Sequence, residues 1–396
     1  MSLLNSPRRD SLVQWLLAGV REERDIAQIF MQLCTRLVDC GVELSRASLH
    51  IRVYHPQWLG TRIIWARGQS KPDVQIVGYE VEATATFLQS PYRVVLSTGS
   101  EIRQKLQIHG PHAFPLYEEL RQEGHSEYTG WPIDRTQGKR HLITFSTDRP
   151  NGFDDSDIIF LREILPVFSL VSEIRVKNQL ARTLLETYVG PHASEQILDG
   201  ATTRGSGVSI NAAIMICDLR GFTKLSDRRP RDEVISILNQ YFDAVAGPVD
   251  RHGGEILKFI GDGLLAIFPL EQPRACENLL QAVYYAQEAI AMAQRTGLAD
   301  ELLYGTGVHV GEVMYGNIGS QKRLDFTVIG PAVNLASRLE NLTKELQRPV
   351  LISSEFVKLA NCSERTERMG LHNLRGFEEP VEVHALRLPA HTLPDF

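Results

Sequence analysis

The chain has 396 residues, enough for two or three domains, and its 43% hydrophobic and 23% charged content is ordinary for a soluble globular protein. A net charge of -6 gives no electrostatic reason to expect nucleic acid or an acidic membrane as a partner. The five cysteines lack zinc-site spacing and are odd in number, which argues against a disulfide framework and fits a reducing cytoplasm. The longest apolar runs are far shorter than the ~20 residues of a membrane helix, so no membrane span is predicted.

The first segment, residues 1–165, is predicted to be a strand-rich domain with helices at both ends. Apolar residues recur every three or four positions over 12–42, which predicts a helix, and residues 47–53 alternate like a strand. Further elements are predicted as strands at 61–66, 75–81, 93–96 and 141–146 and a helix at 156–165. The layout resembles a GAF domain, a common small-molecule sensor. That resemblance implies a small-molecule ligand but comes without a ligand-specific motif.

The second segment, residues 166–207, is predicted to be a helical linker. Seven residues step by alternating fours and threes, and all but Asn178 have apolar or aromatic side chains: Val167, Val171, Ile174, Asn178, Ala181, Leu185 and Tyr188. This is the spacing of a parallel coiled coil, with Asn178 as a polar residue in the seam. Only about three heptads are present, so an amphipathic helix packed on a neighbour is the alternative. The Gly190-Pro191 pair is predicted to end the helix.

The third segment, residues 208–388, alternates strands with helices. We predict a strand at 211–218, helices to about 251, a hairpin at 255–269, a helix at 273–296 and a strand at 303–309. A second hairpin, a helix at 331–345 and strands near 349–352 and 380–387 complete the prediction. This order predicts an α/β (α+β) fold with one sheet.

Two aspartates in the third segment end apolar strands. Asp218 follows the run 212–217, and Asp262 lies between two glycines in Lys258-Phe259-Ile260-Gly261-Asp262-Gly263. Either aspartate alone would more often be a turn or capping residue. Together, two carboxylates at strand ends can hold a pair of hard divalent cations.

These segments resemble the catalytic core of class III nucleotidyl cyclases, over about 180 of the 396 residues. The resemblance implies a ferredoxin-like cyclase homology domain in which Asp218 and Asp262 bind two Mg²⁺ or Mn²⁺ ions. In this family the metal aspartates come from one domain, and the base- and transition-state-binding residues come from its partner. Because the chain carries one such domain with both sets, the resemblance implies a two-fold homodimer.

Two residues match the base-recognition positions of that family. Lys258 matches the lysine that donates a hydrogen bond to adenine, where guanylyl cyclases carry glutamate. A lysine cannot accept a hydrogen bond from guanine, which favours ATP. Thr327 stands where many adenylyl cyclases have aspartate, and this threonine resembles class IIIb, whose members often respond to bicarbonate. The alternative interpretation is that Lys258 is an ordinary surface lysine and that Thr327 is a strand residue used in packing.

Three further residues match positions that bind the rest of the nucleotide. Asn334 and Arg338 are four residues apart in a predicted helix, so their side chains lie on the same face of that helix. The resemblance implies that Asn334 orients the ribose and that Arg338 stabilises charge at the α-phosphoryl group. Arg375 matches the basic residue that holds the triphosphate. Gly305 departs from the pattern, because some family members have another triphosphate-binding arginine there.

The sequence therefore predicts a cytoplasmic adenylyl cyclase that converts ATP to 3′,5′-cyclic AMP and pyrophosphate, regulated by its N-terminal domain. A guanylyl or dual-specificity cyclase is the nearest alternative. A non-catalytic nucleotide-binding regulator is the alternative of a different class, but it would be expected to lack a metal aspartate, Asn334 or Arg338. All of these residues are present.

Overall fold

The computed structural model describes residues 7–53, 58–106, 113–136, 140–295 and 303–388. The chain divides into two compact units, Met1–Leu184 and Leu185–Phe396. Across the described ranges, no helix is both long enough and apolar enough to cross a membrane.

The first unit contains one antiparallel sheet with helices around it. Its strands are β1 (Arg46–Arg52), β2 (Gly60–Ala66), β3 (Asp73–Val77), β4 (Ile102–Lys105), β5 (Glu127–Ile133) and β6 (His141–Thr147). Its helices are α1 (Pro7–Gln14), α2 (Ile26–Asp39), α3 (Ala85–Leu88), α4 (Pro91–Thr98) and α5 (Pro115–Gln122), and α6 (Asp155–Val189) begins here. Within the described residues, the strand order is β3-β2-β1-β6-β5-β4. The predicted layout of a sheet with flanking helices is therefore present, and the GAF assignment stays a prediction.

Local capping explains where the sequence-based elements differ from the structure. The predicted strand at 93–96 is wrong, because these residues lie in α4. Ser90 caps that helix by accepting a hydrogen bond from the backbone N–H of Arg93 at 3.3 Å, and Pro91 occupies the first turn. Likewise, the helix predicted over 12–42 is interrupted, and Asp25 caps the start of α2 by accepting from the N–H of Ala27.

The core of the first unit lies between the sheet and helices α2 and α6. Phe30 of α2 and Phe168 of α6 are both fully buried, with ring centroids 6.2 Å apart. The helix predicted at 156–165 is the first part of α6, which runs for 35 residues. Helix α7 (Pro191–Leu198) follows after Gly190, whose φ of 89° ends α6.

The second unit carries a larger sheet and the predicted candidate site. Its strands are β7 (Gly207–Leu219), β8 (Glu255–Ile260), β9 (Gly263–Pro269), β10 (Tyr304–Gly319), β11 (Leu324–Ile329), β12 (Val350–Ser353), β13 (Thr366–His372) and β14 (Val381–Leu386). Its helices after α7 are α8 (Phe222–Arg228), α9 (Arg231–Arg251), α10 (Ala275–Arg295), α11 (Pro331–Leu346) and α12 (Ser354–Ala360). In the described part, the strand order is β13-β14-β12-β10-β7-β9-β8, with β11 paired to β10. The predicted α/β class with one sheet is confirmed, whereas α12 and β13 were not predicted and residue 296 lies outside the described residues.

Glycines in β10 allow helix α11 to lie directly on the sheet. A Cβ at Gly307 would overlap the carbonyl oxygen of Ala336 and the backbone nitrogen of Glu340. A Cβ at Gly311 would lie 2.8 Å from the Cβ of Ala332. Since real Cβ atoms do not approach this closely, both positions require glycine for the observed packing. The sequence of β10 thereby fixes the depth of α11, the helix that carries Asn334 and Arg338.

We expect Gly307→Ala to lower the free energy of unfolding by about 1–3 kcal/mol, since the added methyl group must displace the backbone of α11. Gly247→Ala is the matched control, because it lies inside α9 and its Cβ would meet only the flexible end of Arg251. That control should gain up to about 1 kcal/mol from helix propensity. Urea unfolding of both variants measures the difference. Equal stabilities would contradict the close approach of α11.

Candidate active site

The two predicted metal ligands lie together at one end of the sheet. Asp218 is near the end of β7 and opposes Gly263 of β9, the residue that follows Asp262 in the β8–β9 turn. A Cβ at Gly263 would lie only 2.9 Å from Oδ1 of Asp218, so glycine leaves room for the carboxylate. Burial raises the pKa of Asp218, and the charge of Asp262 raises it further. The two carboxylates are therefore close enough to repel each other in the absence of a cation.

The chemistry of this pair suits a hard divalent cation. Both side chains offer only carboxylate oxygens, which Mg²⁺ and Mn²⁺ prefer. The described ranges contain no group of three or more His, Cys, Asp or Glu side chains that could hold a metal. Mg²⁺ commonly binds through one or two carboxylates, and water and substrate phosphates complete its shell. The residues present fit such ions.

Three residues beside Asp218 were not predicted from the sequence. Arg220 follows β7, and its guanidinium donates a hydrogen bond to the hydroxyl of Thr343 in α11. That hydroxyl donates in turn to the carbonyl oxygen of Glu340. The Glu340 side chain is buried, and its Oε1 has no hydrogen-bond partner. Burial raises the pKa of Glu340 to about 7, and the charge of Asp218 adds to that effect.

Lys258 is placed against strand β11, which carries Thr327. Its Nζ lies 2.6 Å from Oδ2 of Asp325, and this hydrogen bond lowers the pKa of Asp325. Asp325 and Thr327 are two residues apart in β11, so they share one face of the strand. Thr327 is 9% exposed, and Lys258 is half-buried. The two predicted base-recognition residues thus lie on β8 and β11, which are joined by the Lys258–Asp325 pair, and Asp325 is a residue that sequence reasoning missed.

Asn334 and Arg338 lie one turn apart on α11, as predicted. Asn334 is exposed and Arg338 is half-buried, whereas Leu335 and Leu339 are buried on the other side of the helix. Arg375 is exposed in the connection between β13 and β14. Asn334 and Arg375 are therefore open to a ligand, and Arg338 is partly open to one.

Strand β10 separates the predicted metal aspartate Asp218 from Thr327 in the register of the sheet. Asp218 opposes Gly305 at the start of β10, and Thr327 opposes Gly316 near its end. These two glycines are eleven residues apart. At about 3.3 Å per residue, that is roughly 36 Å of strand. One chain therefore presents Asp218 and Thr327 at different ends of its longest strand among the described residues.

Comparisons with known proteins match this unit. Residues 208–387 match the family model described as the adenylate and guanylate cyclase catalytic domain. An uncharacterised protein of Mycobacterium tuberculosis is 37% identical over 182 residues, which cover 45% of this chain and 33% of that protein. An adenylate cyclase of Anabaena cylindrica is 33% identical over 210 residues, 50% of this chain and 40% of that protein. A solved bacterial light-regulated adenylyl cyclase shares the fold at 19% identity and a TM-score of 0.50, covering 70% of this chain and 89% of that one.

Residues 208–387 are thus a class III nucleotidyl cyclase catalytic domain, as the aspartate-bearing segments predicted. Within that class, named relatives include adenylate cyclases, such as that of Anabaena cylindrica. The chain spans 33–40% of the length of the two curated relatives described above.

Proposed function

We propose that the chain is an adenylyl cyclase that converts ATP to 3′,5′-cyclic AMP and pyrophosphate. The observation that carries this proposal is the adjoining Asp218–Asp262 pair inside a cyclase catalytic domain, and Lys258, at the position predicted to recognise the base, favours ATP. Product analysis with ATP and GTP supplied together tests it. Cyclic AMP should dominate. Formation of cyclic GMP at a comparable rate would favour a guanylyl or dual-specificity enzyme.

Each matched residue has a separate task in this reaction. Asp218 and Asp262 would hold Mg²⁺ or Mn²⁺, which when bound favours deprotonation of the ribose 3′-OH and offsets charge on the pyrophosphate that leaves. Asn334 orients the ribose. Arg338 stabilises charge that develops at the α-phosphoryl group, for which a planar guanidinium is well suited. Lys258 and Thr327 bind adenine, and Arg375 holds the triphosphate.

The proposed enzyme is a homodimer with two shared sites. The positions of Asp218 and Thr327 at different ends of β10 support this arrangement. In a two-fold dimer, the metal residues of one subunit can face Lys258, Thr327, Asn334, Arg338 and Arg375 of the other. Both sites form together, because a symmetric interface uses the same surface twice.

Helix α6 supports the predicted helical pair over part of its length. Val167 and Val171 pack against the core of the first unit. Further along, Ile174 and Tyr188 are 55% and 76% exposed, although both are large apolar residues at predicted seam positions. We propose that a second copy of this helix covers these residues in a parallel pair that couples the two units.

We expect cysteines introduced by Ile174→Cys to crosslink between chains under mild oxidation, because equivalent seam residues face each other in a parallel pair. Glu186→Cys is the control, since this exposed residue lies outside the predicted seam. Non-reducing electrophoresis measures the crosslinked dimer. Equal crosslinking of both variants, or none of either, would contradict the parallel pair.

A cavity in the first unit supports regulation by a small molecule. Its volume is about 690 Å³, and its lining includes Arg46, His50, Arg62 and Tyr92. The rings of His50 and Tyr92 lie 4.3 Å apart. Burial, with the nearby charges of Arg62 and Arg46, lowers the pKa of His50 to about 3, so this histidine is neutral at pH 7. We propose that the cavity binds an anion that carries a planar ring.

Benzoate and 2-naphthoate should raise the Tm of the protein more than benzamide and 2-naphthamide do, because only the first pair offers a carboxylate to Arg46 and Arg62. The Arg46→Gln/Arg62→Gln variant should lose this difference, whereas Arg93→Gln, exposed and outside the cavity lining, should keep it. Thermal denaturation monitored by circular dichroism measures both. Equal shifts for the charged and uncharged compounds would refute an anion site.

Regulation by bicarbonate stays a prediction that rests on Thr327.

A further inference from the structure

Arg220 lies beside the metal aspartates although no part of the proposed reaction uses it. It is two residues beyond Asp218, so both side chains project to the same side of the sheet. Its backbone N–H donates to the carbonyl oxygen of Leu303 at 2.7 Å, which fixes the chain at this point. The backbone of Arg220 is therefore fixed beside the proposed metal site.

Gly305 provides the space for that guanidinium. Gly305 opposes Asp218 across β7 and β10. A Cβ at Gly305 would lie 2.9 Å from Nη2 of Arg220 and 2.8 Å from Oε1 of Glu340, and it would overlap Oγ1 of Thr343. The missing side chain of Gly305 is thus replaced in space by a cation that comes from the neighbouring strand. Position 305 is the place at which some cyclases carry a triphosphate-binding arginine.

The surroundings of Arg220 keep its guanidinium directed toward this point. The hydroxyl of Thr343 accepts a hydrogen bond from it, and Thr343 itself is fully buried. The carboxylates of Glu340 and Asp218 lie near the Arg220 guanidinium. A guanidinium stays protonated in proteins and presents a planar fork of donors that matches phosphate oxygens. The charges facing this point come from Asp218, Asp262, Glu340, Lys344 and Arg220.

We infer that Arg220 binds a phosphate of the nucleotide's triphosphate, and of the pyrophosphate product, beside Asp218 and in place of a side chain at Gly305. This inference rests on the proposed function for the identity of the nucleotide. It assigns the phosphate contact to the subunit that supplies the metal aspartates, whereas Arg375 would act from the partner subunit. The chemistry recognised is a di- or triphosphate, so a ligand with a single phosphodiester should not depend on Arg220.

Binding of pyrophosphate in the presence of Mg²⁺, measured by isothermal titration calorimetry on the full chain, tests this inference. Arg220→Gln should weaken binding about tenfold or more, because a charge-assisted contact to phosphate is lost. The pyrophosphate affinity of Arg220→Lys should lie between those of Arg220→Gln and the wild type, since an ammonium keeps the charge but lacks the planar fork of donors. Arg229→Gln is the matched control, because Arg229 is exposed at the end of α8 and should bind pyrophosphate within about twofold of the wild type.

Cyclic AMP is the second probe, and its affinity should be the same in Arg220→Gln and the wild type. Unchanged pyrophosphate affinity in Arg220→Gln would overturn the inference, above all if its Tm is lower, because Arg220 would then only support α11. If Arg220→Gln does not fold, Arg220→Lys decides, and wild-type affinity in that variant overturns the inference. A wild-type chain that fails to bind pyrophosphate overturns it as well. A chain that binds pyrophosphate through Arg220 but forms no cyclic nucleotide would refute the proposed function and leave this inference standing.

Discussion

Asp262→Ala and Arg338→Ala are each expected to lose at least about 99% of cyclase activity, and their mixture is expected to regain it. Asp262 supplies one of two adjoining carboxylates, and in the proposed reaction Arg338 supplies the cation for the α-phosphoryl group. In a heterodimer of the two variants, one shared site contains both intact residues and the other lacks both. Random exchange makes half of the dimers heterodimers, so the mixture should reach about a quarter of wild-type specific activity. Cyclic AMP formation after subunit exchange measures this.

The matched control is a mixture of Asp218→Ala with Asp262→Ala. Both residues belong to the same half of the site, because they adjoin in one chain. Every site in that heterodimer lacks one carboxylate, so activity should stay near zero. If a verified heterodimer of Asp262→Ala and Arg338→Ala is as inactive as either variant alone, the shared-site arrangement is wrong and each chain must complete its own site.

Lys258→Glu is expected to lower kcat/KM for ATP by about 100-fold or more. The change removes the proposed donor to adenine and places a second carboxylate beside Asp325, whose Oδ2 lies 2.6 Å from Lys258 Nζ in the structure. Loss of a charged hydrogen-bond partner costs about 1.5–3 kcal/mol, and the new repulsion adds to this. Steady-state kinetics with ATP and with GTP measure the effect. The affinity for Mn²⁺ should change little, because Asp218 and Asp262 are unaltered.

Asp325→Asn separates the two causes of that loss. It removes the ion pair but leaves Lys258 as a donor, so ATP turnover should fall less than about tenfold, in keeping with the small energy of a half-exposed ion pair. ATP efficiency that stays within a few-fold of the wild type in Lys258→Glu would show that the base-recognition assignment is wrong. Comparable efficiency with GTP in the unaltered enzyme would show the same.

Elements with a strong local pattern were predicted well from the sequence. The hairpin predicted at 255–269 is β8 and β9, because two apolar runs flank a Gly-Asp-Gly turn. The helix predicted at 331–345 is α11, where Gly-Pro precedes a helical pattern. The strand predicted at 93–96 was wrong, since a local capping serine outweighed the β-branched residues of a short run.

The contacts that surround the candidate site could not be predicted in this way. The Lys258–Asp325 pair joins residues 67 positions apart, and the Arg220–Thr343 bond joins residues 123 apart. Such pairs depend on the order of strands in the sheet and on how closely α11 packs against β10. The spacing of apolar residues along the sequence predicts neither. One signal was available for Arg220, because it comes two residues after Asp218, and the alternation of β7 continued by one residue would place both side chains on one side.

Because each proposed site is shared between two chains, the cyclase activity of the protein depends on how much of it is dimeric. In the proposed shared-site arrangement, Asp218 opposes the start of the 16-residue strand β10 and Thr327 opposes a residue near its end, and each site is completed by a second chain. Specific activity should therefore fall on dilution once the protein concentration drops below the dissociation constant of the dimer. A regulator could then set the output of the enzyme without touching the nucleotide, simply by changing how often two chains meet in the productive orientation.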